Sequence, residues 1–427
     1  MKKLLSLGVS VFAAGAAFAA ANVDPAQLQA RTSLNVIGPE LLTSHLRHNG
    51  LQNAMVSSPS LFYALSVLAL GADGASQELL ASRLLTDPDA SLADVAPPLA
   101  ALLSTDNSGD NGDSRNGAFR LSHSLWSTNG ASDRKPFVLA EGFLATAEAL
   151  YGAGHRPLDF RATGAARLIN DWAEEQTRGL IPAVIDDALL SRLDWVILNT
   201  TLFEGTWGTA MQRVGAQDAY RFITLDGHSQ AAATIRTVDY AARVIDLDDG
   251  SLVFQLPFAG GHYAFIVHMP APEQADVRGW LLHVAVPGFA GMAERVIGGE
   301  GSLHPLSIQL PAFAFSDTVT MGGLSPLTRD LGLAPLFERG VDLSRLSEQP
   351  SRVGIIKQDT RIELDEKGVR AAAATLVGGV KSTSVRPSHR RRQIVVNRPF
   401  AFAIVERASR TLLFNGVLVS PPHTQAH

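Results

Sequence analysis

Apolar residues recur at helical spacing in the first part of the chain, and this pattern predicts amphipathic helices. One face of a first helix carries four of them: Leu34, Ile37, Leu41 and Leu42. Asn49 and Gly50 are suited to ending this helix. A second helix is expected over residues 61–70, which are apolar nearly all round and therefore belong deep in the core. Ser58 can cap that helix, with Pro59 at its first position.

Short apolar and β-branched runs become frequent later in the chain and predict strands. The candidates are Trp195–Phe203, Val253–Pro257, Tyr263–Met269, Ile308–Phe315 and Arg361–Asp365. The first is apolar enough to be buried on both faces of a sheet. Ile362 and Leu364 instead alternate with charged residues, as in a half-buried strand. Helices that dominate early and strands that dominate late favour an α+β fold.

The composition is that of a globular protein, with 427 residues of which 46% are hydrophobic and 18% charged. The formal net charge of -5 gives no basic stripe, so we expect no nucleic-acid partner. The chain has no cysteine, which excludes thiol catalysis, disulfide bonds and metal held by cysteine.

The first 21 residues resemble a secretory signal peptide. Lys2 and Lys3 precede the apolar run Leu4–Phe18, and the small residues of Ala19–Ala21 fit a cleavage site. The run is too short for a comfortable membrane span, so we expect cleavage and export, with a retained anchor as the alternative. No later segment predicts a span. The expected destination is the periplasm or the extracellular medium.

The sequence contains none of the common signatures of enzymes and metal sites, such as G-x-S-x-G, the P-loop, the dinucleotide fingerprint and H-E-x-x-H. His45 and His48 lie three residues apart on the first helix, but no third ligand stands near them, so a polar helix face is expected. Residues 104–117 predict a surface insertion, with a calcium site as the weaker alternative. We therefore expect no catalytic residue, metal or cofactor.

One segment has an unusual pattern. A strand ends at Asp365–Gly368, a run of alanines follows, and a long polar stretch reaches Gln393. A flexible alanine-rich linker is one interpretation. The other is a segment able to enter a sheet as a central strand, because its alternate residues are uncharged. The residues facing inward would be Val369, Ala371, Ala373, Thr375, Val377 and Gly379. Arg370 falls on the other face.

This segment resembles the proximal hinge of the serpins, and further motifs follow in serpin order. The matching stretches are Asp365–Gly368 with Ala371–Thr375, Asn53 with Ser57–Ser60, Ile169–Trp172 with Thr177 and Ile181–Pro182, Leu198–Phe203 with Gly205 and Trp207, and Asn397–Phe400 with Leu413–Gly416 and Pro421. They span residues 30–421. The resemblance implies a single serpin domain of eight or nine helices, a large mixed central sheet, two smaller sheets and an exposed reactive-centre loop at about 366–393.

The resemblance also implies a function, the inhibition of serine proteases and possibly of cysteine proteases. A protease attacks one bond of the loop and forms an acyl-enzyme, the cleaved loop inserts into the main sheet, and deacylation stalls. The implied partner is the target protease, held covalently by a monomeric inhibitor. A non-inhibitory serpin-fold binding protein or chaperone is the alternative.

Family spacing places the reactive bond at Ser382-Thr383, or at Lys381-Ser382 for a loop one residue shorter. The implied hinge comprises Glu366, Gly368, Val369, Arg370, Ala371, Ala372, Ala373, Ala374 and Thr375. The implied switch region, about which the sheet opens, comprises Ser57, Ser60, Asn170, Asn199 and Trp207.

Three features depart from the family pattern. Val369 stands where Thr or Ser is usual, and Arg370 stands where Glu is usual. The segment after the reactive bond is long and ends in a basic run that contains Arg390, Arg391 and Arg392. We expect this run to be solvated, and contact with an acidic protease surface or a polyanion is the alternative. The chain is thus predicted to be an exported bacterial serpin.

Overall fold

The computed structural model of this chain describes residues 25–85, 117–130, 135–215, 220–369 and 392–422. The predicted signal peptide, most of the predicted insertion at 104–117, and residues 370–391 of the predicted loop lie outside these ranges.

Nine α-helices occur in the described residues. They are α1 Pro25–Asn49, α2 Ser58–Gly71, α3 Gly74–Leu84, α4 Glu141–Tyr151, α5 Ala165–Gln176, α6 Asp187–Leu190, α7 Val277–Trp280, α8 Phe289–Ile297 and α9 Pro326–Asp330. A short π-helix at Leu281–Ala285 and a 3-10 helix at Ala334–Phe337 complete the helical elements of these ranges.

Seventeen strands are described, and they form two large sheets and one hairpin. Their bounds are β1 Ala54–Val56, β2 Ala118–Thr128, β3 Gly154–Leu158, β4 Trp195–Thr206, β5 Gln212–Arg213, β6 Arg221–Ile223, β7 Ser229–Ala231, β8 Thr234–Asp246, β9 Leu252–Pro257, β10 Tyr263–Met269, β11 Ser302–Pro311, β12 Phe313–Met321, β13 Ile356–Leu364, β14 Gly368–Val369, β15 Arg392–Val395, β16 Phe400–Glu406 and β17 Thr411–Leu418. The predicted α+β class is confirmed.

The nine-stranded sheet has the order β1-β17-β16-β10-β9-β8-β11-β15, with β5 also paired to β8. The six-stranded sheet has the order β12-β13-β14-β4-β2-β3, and β6 pairs with β7. Both large sheets are mixed, because β11 pairs with β15 in parallel and β2 pairs with β3 in parallel. In the larger sheet, β16 and β17, the last two strands described, lie between β1 and β10 and not at an edge.

Helix α2 occupies the centre of the molecule. It is apolar on all sides, and its residues from Ser58 to Phe62 are all buried, as the sequence predicts. Its N-cap is Ser57, one residue before the predicted Ser58, and the Ser57 hydroxyl accepts a hydrogen bond from the backbone N–H of Ser60 at 3.4 Å. Helix α2 packs on α1, β4 and β17, which places its first turn beside both large sheets.

The predicted strand Ile308–Phe315 is wrong as a single element. Ala312 separates two strands. Residues 308–311 end β11 in the nine-stranded sheet, and residues 313–315 begin β12 in the six-stranded sheet. The predicted full burial of Trp195–Phe203 holds only for its second half, since residues 195–199 are partly exposed. The apolar run alone gives no sign of either boundary.

Helices α1 and α2 approach each other closely at Gly38. A Cβ atom there would overlap the hydroxyl oxygen of Ser58 and lie 2.9 Å from the Oδ1 atom of Asn415. By contrast, a Cβ atom at Gly142 in α4 meets nothing within 4 Å.

We predict that Gly38→Ala lowers the free energy of unfolding by about 1–3 kcal/mol, because the packed contact cannot widen without cost. Gly142→Ala is the matched control and should be neutral or raise stability by up to about 1 kcal/mol. Chemical denaturation of the purified proteins measures both. Equal effects of the two substitutions would contradict the close contact.

Candidate functional site

Strand β14 is a central strand of the six-stranded sheet and lies between β13 and β4. It pairs only with the last residues of these two strands. It has two residues, whereas β13 has nine and β4 has twelve. Val369 pairs with Leu364 on β13 and with Gly205 on β4, both antiparallel. Within the described residues, β13 and β4 share no ladder beyond β14. We call the space between β4 and β13, from β14 to the start of β4, the slot.

The slot is lined mainly by apolar side chains. Next to β14 its walls include Thr201, Phe203 and Ile362. Further along it continues as a cleft lined by residues that include Ile197, Asn199 and Ile356. A polypeptide segment with small side chains is the kind of group that such a long, narrow and mostly apolar space fits.

The first turn of α2 holds both walls of the slot. On one wall, Asn199 donates from Nδ2 to the carbonyl of Ser60 at 3.0 Å and accepts from the Ser60 hydroxyl. On the other wall, Gln358 accepts from the Ser57 N–H at 2.9 Å and donates to the Ser57 carbonyl at 2.8 Å. The structure therefore brings three of the predicted switch residues together.

Gln358 was missed by the sequence analysis. It occupies a buried position of β13, in the same alternating set as Thr360, whose hydroxyl donates to the Met55 carbonyl at 2.8 Å. The available signal was the alternation of β13, which turns every second residue toward the core. A buried glutamine in that set needs polar partners, and the turn of α2 supplies them.

The segment between α5 and β4 covers the outer side of the slot. The predicted switch residue Asn170 fastens it to α5, because its Oδ1 atom accepts from the N–H of Val184 at 2.8 Å and of Ile185 at 3.1 Å. Ile181 and Val184 from this segment line the slot. Asn170 thus forms hydrogen bonds with the covering segment, whereas Ser60 and Asn199 form hydrogen bonds with each other.

The predicted hinge begins in a tight turn. The Asp365 carboxylate accepts from the N–H of Lys367 at 2.8 Å and of Gly368 at 3.2 Å. Trp207 donates from its indole nitrogen to the Asp365 carbonyl at 2.8 Å and stacks on Phe258 with 5.1 Å between ring centroids. The predicted switch residue Trp207 therefore fixes the point at which β14 enters the sheet.

Gly368 is required by close packing. A Cβ atom at this position would overlap the carbonyl oxygen of Gly205. Glu366 of the predicted hinge lies on the surface, where its carboxylate accepts from the Nε atom of Arg213 at 3.1 Å. The other predicted hinge residues from Arg370 to Thr375, and the predicted bond at Lys381, Ser382 or Thr383, lie outside the described residues.

An ion pair links the cover of the slot to one of its walls. Arg178, in the covering segment, donates to the carboxylate of Glu204 on β4. The Glu204 side chain is only 2% exposed. Arg178 has φ 51°, a left-handed conformation that is uncommon for a residue with a long side chain. The local backbone is therefore held in a form that keeps this guanidinium over Glu204.

One histidine beside the slot is partly buried. His123 on β2 lies opposite Asn199 and stacks on Tyr63 of α2 with 4.6 Å between ring centroids. Burial lowers the pKa of His123 to about 4. Burial likewise lowers the pKa of His268 to about 4, in the nine-stranded sheet.

The histidines of α1 do not form the expected polar face. His45 is buried and its Nε2 atom lies 3.1 Å from the Asp317 carboxylate, which also accepts from the Met55 N–H. His48 contacts Asp330 instead, at 2.9 Å. The tertiary fold supplies each with a carboxylate that is remote in sequence. In the part of the chain that the structure describes, no cluster of His, Asp and Glu could hold a metal ion.

The basic run is described only at its end. Arg392 begins β15, and its guanidinium donates two hydrogen bonds to Asp246. The Arg392 hydrogen bond holds the pKa of the Asp246 carboxyl below its ordinary value. Arg390 and Arg391 lie outside the described residues. Arg392 is therefore already engaged by a carboxylate of its own chain.

Comparison with known proteins identifies the family. The sequence profile described as "Serpin (serine protease inhibitor)" matches residues 32–421. Among curated relatives, Serpin-Z2A of Triticum aestivum is 27% identical over 86% of this chain and 90% of its own length. Alpha-1-antiproteinase 2 of Equus caballus is 26% identical over 89% of this chain and 84% of its own length. The chain belongs to the serpin family.

Solved structures have the same fold. The thermophilic serpin Tengpin in its native state matches with a TM-score of 0.75 at 20% identity, over 94% of this chain and 95% of its own. Thyroxine-binding globulin in complex with thyroxine matches with a TM-score of 0.74 at 18% identity, over 91% of this chain and 99% of its own. The predicted serpin fold is confirmed. In the described residues no helix is long and apolar enough to cross a membrane.

We predict that stability falls as pH drops from 6.5 toward 4, and that His123→Gln reduces this fall. The folded pKa of His123 is about 4, below the unfolded value of about 6.5, so the unfolded chain takes up a proton first. The effect is up to about 1.4 kcal/mol per pH unit in that window. Thermal unfolding at pH 7 and pH 5 measures it. An identical pH dependence in both proteins would refute the prediction.

Proposed function

We propose that this serpin is a suicide-substrate inhibitor of serine proteases. A protease attacks one bond of the reactive-centre loop and forms an ester with its carbonyl carbon, releasing the amine of the next residue. The cleaved loop then continues β14 along the slot and carries the acyl-enzyme with it. Deacylation stalls because the active site of the enzyme is distorted by the pull.

The single observation that carries the proposal is the position of β14. The strand has already begun, with Val369 seated between its partners on β13 and β4. If an inserted loop continued in the same register, residue 371 would pair with Ile362 and Phe203. Residue 379 would pair with Gly354 and with Trp195, where β4 starts. The register of β4 thus offers ten further pairing positions, from residue 370 to residue 379, for an inserted loop.

The side chains of the loop fit this continuation. Ala371, Ala373 and Thr375 would face the same side as Thr201 and Asn199, which lies toward α2. These residues are small and uncharged, as a filled sheet interior requires. New ladder hydrogen bonds at about 0.5–1.5 kcal/mol each would release on the order of 10 kcal/mol over the inserted strand.

The length of the slot is compatible with a reactive bond at Ser382-Thr383, the bond that family spacing favours. Residue 379 would pair with the first residue of β4, so Ser382 would emerge three residues beyond it, about 10 Å past the end of the ladder. The alternative bond at Lys381-Ser382 would emerge one residue earlier. Lys381 suits a trypsin-like pocket that bears a carboxylate, whereas Ser382 suits a small pocket.

Export is part of the proposal. The signal peptide predicted over residues 1–21 would place a monomeric inhibitor in the periplasm or outside a bacterial cell, where it would meet exported or foreign proteases. Its support is the sequence pattern alone. The basic residues Arg390 and Arg391 remain a candidate contact for acidic protease surfaces or polyanions, whereas Arg392 would first have to leave Asp246.

The test is to mix the mature protein with trypsin, chymotrypsin and elastase, to run denaturing gels, and to weigh the released peptide. A band at the summed mass that resists denaturant supports covalent trapping, and the peptide mass identifies the bond. Cleavage without such a band would favour the non-inhibitory alternative, for which thyroxine-binding globulin, solved with thyroxine, is a structural precedent.

We predict that Ala373→Arg abolishes inhibition while the loop is still cleaved. In an inserted loop that kept the register of β14, residue 373 would pair with Thr360 and Thr201, which are both buried, so the guanidinium would enter the interior unpaired. Ala373→Ser is the matched control and should inhibit almost as well as the wild type. Gel assays of complex formation measure both. Inhibition that survives the arginine would show that strand insertion is not the mechanism.

A further inference from the structure

Three arginines line one open pocket at the end of the six-stranded sheet where β4 begins. Arg192 follows α6, Arg339 follows the 3-10 helix that ends at Phe337, and Arg352 precedes β13. Because they come from three separate stretches of the chain, the tertiary fold brings them together and no basic run in the sequence announces them. We call this space the arginine pocket.

The three arginines have no partner of their own. All three are exposed, and within the described residues none of their guanidinium groups forms a salt bridge or a hydrogen bond. By contrast, Arg178, Arg213 and Arg392 each hold a carboxylate of this chain. The donors of the arginine pocket are therefore available to a ligand.

The backbone of the pocket adds donors of the same kind. The N–H groups of Arg339, Gly340 and Arg352 lie outside the helices and strands, and none of them donates to another residue of the described chain. Guanidinium groups bind oxyanions through paired, charge-assisted hydrogen bonds, and free backbone N–H groups bind them as well. The lining thus suits a compact group with several oxygen acceptors.

Two carboxylates share the pocket, Asp194 and Glu338. Asp194 already has a partner within the chain. Glu338 is exposed, and in the part of the chain that the structure describes it holds none of the three guanidinium groups. The pocket therefore keeps a net positive charge, which favours an anion over a cation or a neutral solute.

The arginine pocket adjoins the slot. Trp195, the first residue of β4, and Gly354, which precedes β13, line both spaces. The Trp195 indole donates to the Ser351 hydroxyl at 2.6 Å, and this bond joins the segments that lead into the two walls. Arg192 leads into β4 and Arg352 leads into β13, so an anion held by both would add a second link between the walls.

We propose that the arginine pocket binds a small multivalent oxyanion of the phosphate class through Arg192, Arg339 and Arg352. The oxygens of phosphate or pyrophosphate accept the paired hydrogen bonds of guanidinium groups. The bound anion links the beginnings of the two walls and so stabilises the uncleaved fold. The pocket lies apart from the reactive-centre loop, so the inference goes beyond the proposed function and does not depend on it.

The first test is calorimetric titration of pyrophosphate into the purified protein and into Arg192→Gln and Arg352→Gln. Arg236→Gln is the matched control, since Arg236 is exposed on β8 in the other large sheet. We expect one site in the wild type and in the control, and affinity at least about tenfold lower in each pocket variant. No binding to the wild type, or equal binding by Arg192→Gln and Arg236→Gln, would overturn the proposal.

A second variant changes the charge of the pocket in the opposite direction. Glu338→Gln removes a carboxylate that repels the anion, so the affinity for pyrophosphate should rise about two- to fivefold. Glu175→Gln, at an exposed position of α5, is its control and should leave the affinity unchanged. An unchanged or lower affinity in Glu338→Gln would mean that the anion binds elsewhere on the protein.

Thermal unfolding supplies an independent readout. At a pyrophosphate concentration about a hundred times Kd, the melting temperature of the wild type should rise by about 3 °C over a chloride solution of equal ionic strength. Exclusion of the anion from protein surfaces stabilises every variant alike. A rise as large in Arg192→Gln as in the wild type would therefore be that general effect and would contradict the site.

Discussion

The two walls of the slot are joined through the first turn of α2. Asn199 on β4 bonds to Ser60, and Gln358 on β13 bonds to Ser57, three residues away on the same turn. The turn is buried, so these bonds are shielded from water and hold the spacing of the strands. The hinge, the covering segment and the cleft all take their positions from that spacing. The turn thus connects β4 and β13 at a point where β14 does not lie between them, since β14 pairs only with the last residues of both strands.

The two faces of the slot are closed by different means. Toward α2, Asn199 and Gln358 form hydrogen bonds with the first turn of that helix. On the outer face, Ile181 and Val184 occupy the approach, and Arg178 fastens their segment to β4. Under the proposed mechanism, entry of the loop would require the covering segment to move away from β4.

Much of the fold could be predicted from the sequence, because it depends on local periodicity. The apolar face of α1, the buried α2 and the alternation of β13 all follow from residues a few positions apart. What could not be predicted depends on partners remote in sequence. The hydrogen bonds between His45 and Asp317 and between Gln358 and Ser57 depend on how the elements pack in the folded chain. The motifs of the family located the hinge, whereas the pairing of Val369 with Leu364 and Gly205 required the tertiary structure.

The order of strands in the larger sheet also has a consequence for the synthesis of the protein. Strands β16 and β17 are the last to be made, yet they lie between β1 and β10, and Asn53 accepts hydrogen bonds from Val419 and Ser420 near the end of the chain. The chain must therefore be synthesised as far as β17 before this sheet can close. Until then, β1 and β10 lack the strands that separate and pair with them, and β10 has an open edge.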